Sequence, residues 1–176
     1  MISVKVKSSG SRMKELASLP KAARMAVLNA QRYAVSELKK LAVEETVSKY
    51  YLTKGQIKKA MQNTPAGFRV SSGMLSLEKY KLSPASPRRK YSLSAGVRKD
   101  TGMKPLGRNA FLVQGNGKFR PVARLTKRRY PIKPMYGPSI AQAVGNDETG
   151  ELLQERAEEL FRQKLEEAMS RLGMTK

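Results

Sequence analysis

The sequence contains neither cysteine nor histidine. Their absence excludes disulfides, zinc sites built on Cys or His ligands, Ser-His-Asp and Cys-His triads, and imidazole general bases. Long apolar runs are also missing. None approaches the roughly 20 residues of a transmembrane helix, and residues 1–5 lack the apolar core of a signal peptide. We therefore expect a soluble protein that is not secreted and that uses no metal or cofactor.

Groups able to perform catalysis are scarce. Glu44 and Glu45 are adjacent in the sequence, so on a helix they point about 100° apart and cannot share a site alone. Asp147, Glu148 and Glu151 lie at the predicted start of a helix, where favourable interaction with the helix dipole explains them. Neither a GxxxxGK[ST] nor a GxGxxG phosphate-binding pattern is present. The sequence therefore predicts no enzymatic activity.

Acidic residues are few as well, with 14 against 35 basic residues and a net charge of +21. The excess is uneven, because residues 65–133 hold 17 basic and 2 acidic side chains, whereas residues 134–176 hold 5 basic and 8 acidic. This asymmetry predicts that the middle of the chain meets a polyanion or an acidic protein surface. The alternative is that the charge only keeps the chain soluble.

Length and composition fit one domain. The chain has 176 residues, of which 40% are apolar, enough for a modest core. Its character changes twice along the sequence. We expect a single domain over 1–176, with an N-terminal strand and helices (1–64), a basic β region (65–133) and a C-terminal helical segment (134–176).

The N-terminal part predicts one strand and two helices. Residues 2–6 alternate apolar and polar side chains, the period of a strand. Pro20 suits the first position of a helix, and residues 21–50 contain no Gly or Pro. One helical stripe of this segment contains Ala23, Val27, Ala30, Ala34, Leu38 and Leu41. Thr53 and Gln56 form a capping-box pattern, which predicts a short basic helix after Thr53.

The middle and C-terminal parts predict strands followed by helices. Short apolar runs punctuated by Gly and Pro indicate an antiparallel sheet, curved or barrel-like, and Gly115-Asn116-Gly117 indicates a tight hairpin turn. Residues 140–144 and 148–172 predict a short and a long helix. The predicted fold class is therefore α+β, with the antiparallel sheet packed by the long N-terminal helix and the C-terminal helix.

Two segments place three cations beside a tyrosine: Arg88-Arg89-Lys90-Tyr91 and Lys127-Arg128-Arg129-Tyr130. Cations neutralise phosphates, and an adjacent ring stacks on a base or supports a guanidinium. The plain alternative is a solvated loop whose tyrosine packs inward. No RRM, zinc-finger or KH pattern is present, so contacts would be with charge rather than base sequence. The candidate contacts for DNA or an acidic partner are Arg88, Arg89, Lys90, Arg98, Lys99, Lys127, Arg128, Arg129 and Tyr130.

The order of these features resembles the prophage minor tail protein Z family of long-tailed phages. The resemblance covers nearly the whole chain: an Ala-rich amphipathic helix (22–50), a basic segment (52–61), a basic strand region and a closing acidic-to-basic helix. Its most specific piece is a motif in two halves, Arg129-Tyr130-Pro131-Ile132 and Gly137-Pro138-Ser139, the latter followed by Ile140-Ala141.

The resemblance implies a structural virion protein, a tail-completion subunit at the head-proximal end of the tail that is assembled in the host cytoplasm. The implied partners are further copies of itself in a ring, and the tail tube with tail terminator or head–tail connector proteins. DNA passing through the lumen is a further partner, bound without sequence specificity, and no membrane is involved. The basic loops then face DNA or acidic tail proteins.

Two other function classes stay open. One is a sequence-nonspecific nucleic-acid-binding protein of the nucleoid or ribosome-associated type, which would bind DNA or RNA as an isolated monomer. The other is an enzyme of phage DNA metabolism, which the shortage of catalytic groups disfavours. Copurification with virions or tails, and the copy number there, discriminates among them.

Overall fold

The computed structural model describes residues 2–5, 20–64, 67–83, 93–115 and 117–172. It has an α+β fold, which confirms the predicted class. The four α-helices of the described residues are α1 (Lys21–Lys49), α2 (Lys54–Ala60), α3 (Ile140–Val144) and α4 (Asp147–Arg171), and a 3-10 helix spans Leu77–Lys79.

The strands of the described residues divide into four small antiparallel sheets. They are β1 (Ile2–Lys5), β2 (Met61–Thr64), β3 (Gly67–Val70), β4 (Met74–Ser76), β5 (Lys81–Ser83), β6 (Ser94–Gly96), β7 (Lys104–Pro105), β8 (Ala110–Gly115), β9 (Lys118–Arg124), β10 (Ile132–Pro134) and β11 (Tyr136–Ser139). The sheet orders are β1-β3-β2, β11-β4, β5-β6-β7 and β10-β9-β8. The sequence pattern did not predict this subdivision. Most of the strands have two to four residues, too short to continue from one sheet into the next.

The long N-terminal helix is confirmed, and its main partner is the C-terminal helix rather than a sheet. The two run antiparallel: Lys49 at the end of α1 reaches Glu148 at the start of α4 (Nζ–Oε2 3.1 Å), while Lys164 lies 4.7 Å from the ring centroid of Tyr33. The buried residues of α1 in its first half are alanines, at positions 23, 30 and 34. The second half of α1 packs on β3, so the predicted helix-on-sheet contact is present and the contact with α4 is additional to it.

The core forms where the second half of α1 meets α2, α3 and sheet β1-β3-β2. Leu38, Ile57, Phe68 and Val144 are each at most 1% exposed and belong to one cluster. Thr46 is buried among them and donates its hydroxyl to the Ala42 carbonyl (2.7 Å), so its burial leaves no unpaired donor.

The predicted capping box positions α2. The Thr53 side chain accepts from the Gln56 backbone N–H (3.3 Å), and the Gln56 side chain accepts from the Thr53 N–H (2.7 Å). The Gln56 amide also donates to the Lys79 carbonyl (3.2 Å). This cap therefore links α2 to the turn that follows β4.

The burial of Leu38 gives a stability test. Leu38→Ala leaves a cavity between α1 and the core, so we expect a loss of about 2–5 kcal/mol in the free energy of unfolding. Leu28→Ala is the matched control, because Leu28 lies on the same helix and is 45% exposed; we expect a change within about 0.5 kcal/mol. Urea unfolding measures both. Equal losses would contradict the assignment of the buried stripe.

Candidate functional site

The sheet β8-β9-β10 and the loop of residues 125–131 form a basic surface, which we call the basic sheet. Both strand pairs are antiparallel, and β9 is central. Its cationic side chains all belong to exposed residues: Lys118, Arg120, Arg124, Lys127, Arg128, Arg129 and Lys133. The surface therefore brings together cations that are up to 15 positions apart in the sequence.

The hairpin between β8 and β9 follows the predicted turn. Gly115 pairs with Lys118, which leaves two residues in the turn, and Gly117 has φ +73°. This left-handed conformation is costly for other residues and free for glycine. The turn fixes the register, and the register places Val113 opposite Arg120.

The loop from β9 to β10 has a defined shape. The Leu125 N–H donates to the Pro131 carbonyl (3.2 Å). Thr126 Oγ1 accepts from the Arg128 N–H (3.2 Å) and lies 3.5 Å from the Tyr130 carbonyl oxygen. These contacts close the loop at its base, so Lys127, Arg128 and Arg129 lie at its apex.

Two large side chains at the base of this loop are exposed. Tyr130 is 64% exposed and Leu125 is 61% exposed. The Arg129 guanidinium lies 5.8 Å from the Tyr130 ring centroid. The predicted grouping of cations with Tyr130 is therefore present in space, and the tyrosine does not pack inward. Leu125 was missed by the sequence reasoning, although an apolar residue two positions before a basic run was the available signal.

Counter-charge is scarce around the basic sheet. Residues 101–146 contain no acidic residue. Glu78, whose side chain is 12% exposed, contacts Arg120 (Oε2–Nε 3.5 Å) and more distantly Lys79 (3.9 Å). The other six cations of the basic sheet form no ion pair within the described part of the chain. Glu78, a second residue that sequence reasoning missed, therefore forms a long ion pair with Arg120 and none with the loop cations.

Arg98 and Lys99 lie elsewhere, beside the end of α1. The Asp100 carboxylate accepts two hydrogen bonds from the Arg98 guanidinium (2.7 and 3.1 Å). These bonds raise the pKa of Arg98 and lower the pKa of Asp100. Arg98 also lies 5.8 Å from the Tyr50 ring centroid, and the Lys99 N–H donates to the Lys49 carbonyl (2.8 Å). The Arg98 charge is thus already compensated, unlike those of the loop.

The other predicted basic segment cannot be placed on this surface. Arg88, Arg89 and Lys90 lie outside the described residues.

The second half of the two-part motif, Gly137-Pro138-Ser139, makes contacts within the fold. The Tyr80 hydroxyl donates to the Pro138 carbonyl (2.6 Å), and a Cβ on Gly137 would lie 2.8 Å from Tyr80 Cε2. Ser139 caps α3 through a capping box with Gln142. Burial raises the pKa of Tyr80 to about 12. The motif therefore combines an exposed half, at 129–132, with a half that holds β11 and α3 in place.

A cleft of about 270 Å³ lies between α1 and α2, away from the basic sheet. It is lined by Ser36, Lys39, Lys40, Val43, Lys58 and Met61. Lys39 already donates to Asn63 Oδ1 (2.7 Å), and Lys40 to Glu37 Oε1 (2.7 Å). Only Lys58 among its three lysines has no hydrogen bond to a described residue, so the cleft is a weaker candidate than the basic sheet.

In the described ranges, no helix has the length and hydropathy to span a bilayer, and no three metal-ligating side chains gather at one place. No family model, curated protein or solved structure matches the chain. Function is therefore inferred from the charge and geometry of the basic sheet, together with the sequence resemblance.

The buried hydroxyl of Tyr80 predicts a pH dependence. Because its folded-state pKa of about 12 exceeds the ordinary value of 10.0, its contribution to stability is complete below pH 10 and is lost as the pH rises through 12. Below pH 10 we expect the wild-type protein to be about 1 kcal/mol more stable than Tyr80→Phe, which lacks the hydrogen bond. The difference should fall as the pH rises from 10 to 12 and then reverse in sign, because ionisation of Tyr80 in the unfolded chain favours unfolding of the wild type alone. Urea unfolding at stepped pH measures it, and a constant difference would contradict the mechanism.

Proposed function

We propose that the protein is a non-enzymatic structural subunit of a phage tail, which completes the tail at its head-proximal end. The observation that carries the proposal is the exposed loop 125–131, whose three cations have no ion pair within the described residues. This loop contains Arg129-Tyr130-Pro131, part of the motif on which the resemblance to the prophage minor tail protein Z family rests. Such a cationic surface is able to neutralise the phosphates of DNA at the end of a DNA-filled particle.

A subunit that forms a ring also needs surfaces for its neighbours. The face of α4 opposite α1 carries a row of exposed carboxylates that we call the acidic ridge: Glu151, Glu155, Glu158 and Glu159. Their spacing places them on one side of the helix, and only Glu159 has an ion-pair partner in the described region, Arg156. On α1, Met25 and Leu28 are 47% and 45% exposed. Both faces support contact between copies or with tail proteins, in a heterologous arrangement that closes a ring.

The second candidate function is a sequence-nonspecific nucleic-acid-binding protein that acts as a monomer. The same loop cations favour it, because phosphate neutralisation alone supports nonspecific binding. The two functions differ in location and assembly, since the tail subunit belongs to the virion and forms a ring.

The direct test is the composition of purified particles. We expect the protein in virions and in tails without heads, at a fixed low copy number that matches the symmetry of the tail. Deletion of its gene should leave tails that fail to join filled heads or to yield infectious particles. Quantitative mass spectrometry and electron microscopy measure these outcomes. A protein absent from all particles, with normal infectivity of the deletion phage, would refute the proposal and favour the monomeric nucleic-acid binder.

The acidic ridge gives a more local test. Glu155→Lys, Glu158→Lys and Glu159→Lys together should impair incorporation into tails, because reversed charges repel the surface that the ridge contacts. The variant should stay folded by circular dichroism, since all three side chains are exposed. Glu44→Lys, at an exposed position on α1, is the control and should incorporate normally. Infectious particles containing the triple variant at the normal copy number would remove the ridge from the interface.

A further inference from the structure

We propose that the tip of the β9–β10 hairpin enters the major groove of duplex DNA. This tip is defined as Arg124, the loop 125–131, and Ile132 and Lys133 at the start of β10. The inference deepens the proposed function. It rests on that function in one respect, because it takes DNA rather than an acidic tail protein as the partner of the basic sheet.

The width of the tip is the first argument that it enters the major groove. At Arg124, which pairs with Ile132, the segment before β8 is still adjacent, because the Arg124 N–H donates to the Asn109 carbonyl (3.1 Å). Beyond Arg124 the structure continues as two chain segments, which are joined where the Leu125 N–H donates to the Pro131 carbonyl (3.2 Å). The major groove of B-DNA is about 12 Å wide and admits a two-stranded ribbon. Since strands in a sheet lie about 4.8 Å apart, the 125–131 part of this tip has the cross-section of such a ribbon.

The distribution of charge carries the second step. The apex has three cations, Lys127, Arg128 and Arg129, and two more flank it where the sheet still has three chain segments: Arg124 on β9 and Lys133 on β10, which pairs with Ala123. Phosphates line both rims of the groove, so a ribbon inside it needs cations on both of its edges. None of these five forms an ion pair among the described residues. The Arg124 guanidinium instead lies 4.8 Å from the Phe111 ring centroid.

The exposed apolar side chains carry the third step. Leu125 and Tyr130 lie on the two sides of the loop base, 61% and 64% exposed, where water contact with their apolar atoms is unfavourable. In the major groove, such side chains contact thymine methyl groups and base edges. The cations therefore supply the part of the affinity that depends on salt, and Leu125 with Tyr130 supplies a part that does not.

The same observations disfavour the other partners. The cores of protein–protein interfaces are depleted of charged residues, whereas this tip is mostly charge of one sign. Stable binding to a membrane surface needs a larger apolar face than two side chains.

The first experiment measures affinity for a mixed-sequence 30-base-pair duplex by fluorescence anisotropy between 50 and 400 mM salt. For five phosphate contacts, we expect a slope of log K against log salt of about −4.5, equivalent to a loss of roughly 500-fold between 50 and 200 mM. The triple variant Lys127→Gln, Arg128→Gln and Arg129→Gln should reduce the magnitude of that slope by about 2.7. Tyr130→Ala should leave the slope unchanged and lower the affinity extrapolated to 1 M salt about three- to tenfold.

The matched control removes the same charge elsewhere. Lys54→Gln, Lys58→Gln and Lys59→Gln neutralise three exposed lysines of α2 and should leave the slope close to the wild-type value. Unchanged circular dichroism and thermal midpoint check the fold of every variant. If both triple variants reduce the slope equally, binding depends on net charge and the tip is not the site. Tighter binding to anionic phosphatidylglycerol vesicles than to the duplex would also overturn the proposal.

The second experiment identifies the groove. Dimethyl sulfate methylates guanine N7 in the major groove and adenine N3 in the minor groove. We expect bound wild-type protein to protect guanine N7 and leave adenine N3 reactive. Protection of adenine N3 alone, or of neither atom at saturating protein, would overturn groove entry.

The two proposals fail separately. If the protein is present in tails but binds no duplex, the groove contact is wrong and the tail function stands. If it protects guanine N7 but is absent from particles, the groove contact stands and the tail function falls.

Discussion

The antiparallel contact between α1 and α4 is the interaction on which the fold depends, because it joins a helix from the N-terminal part of the chain to one from the C-terminal part. The buried residues in the first half of α1 are Ala23, Ala30 and Ala34, whose small side chains allow a neighbouring element to approach closely. At the C-terminal end of α1, the Lys49 ammonium donates to the Glu148 carboxylate (3.1 Å) and to the Thr149 hydroxyl (3.3 Å) at the start of α4. The core of α2, α3 and β3 packs on the second half of α1, so the position of the strands follows from this helix pair.

The basic sheet is held to that scaffold by a few specific contacts. The Met135 N–H donates to the Pro121 carbonyl (3.0 Å), and the Leu77 N–H donates to the Met135 carbonyl (3.1 Å). Glu78 forms an ion pair with Arg120, and the Tyr80 hydroxyl donates to the Pro138 carbonyl in β11. These contacts restrain one end of the sheet and leave the 125–131 loop exposed, an arrangement suited to a partner that approaches from solvent.

The charge of the protein is separated in space as well as in sequence. The basic sheet has Glu78 as its acidic contact in the described region, whereas the exposed face of α4 is mostly acidic. Opposite charges on separate surfaces of one chain favour head-to-tail contact between copies. The same separation keeps the loop cations available for a polyanion, so assembly and DNA contact can use different surfaces of one subunit.

The sequence by itself determined the features that depend on neighbouring residues. The absence of Gly and Pro predicted α1, Thr53 and Gln56 predicted the cap of α2, and Gly115-Asn116-Gly117 predicted the β8–β9 hairpin. Tertiary structure decided which distant elements meet: α1 with α4, the division into four sheets, and the approach of Tyr80 to Gly137. It also decided that the loop cations meet no carboxylate among the described residues, whereas the Arg98–Asp100 pair is local. Local patterns encode the energies of nearby residues, whereas the choice among distant partners depends on packing and charge across the whole fold.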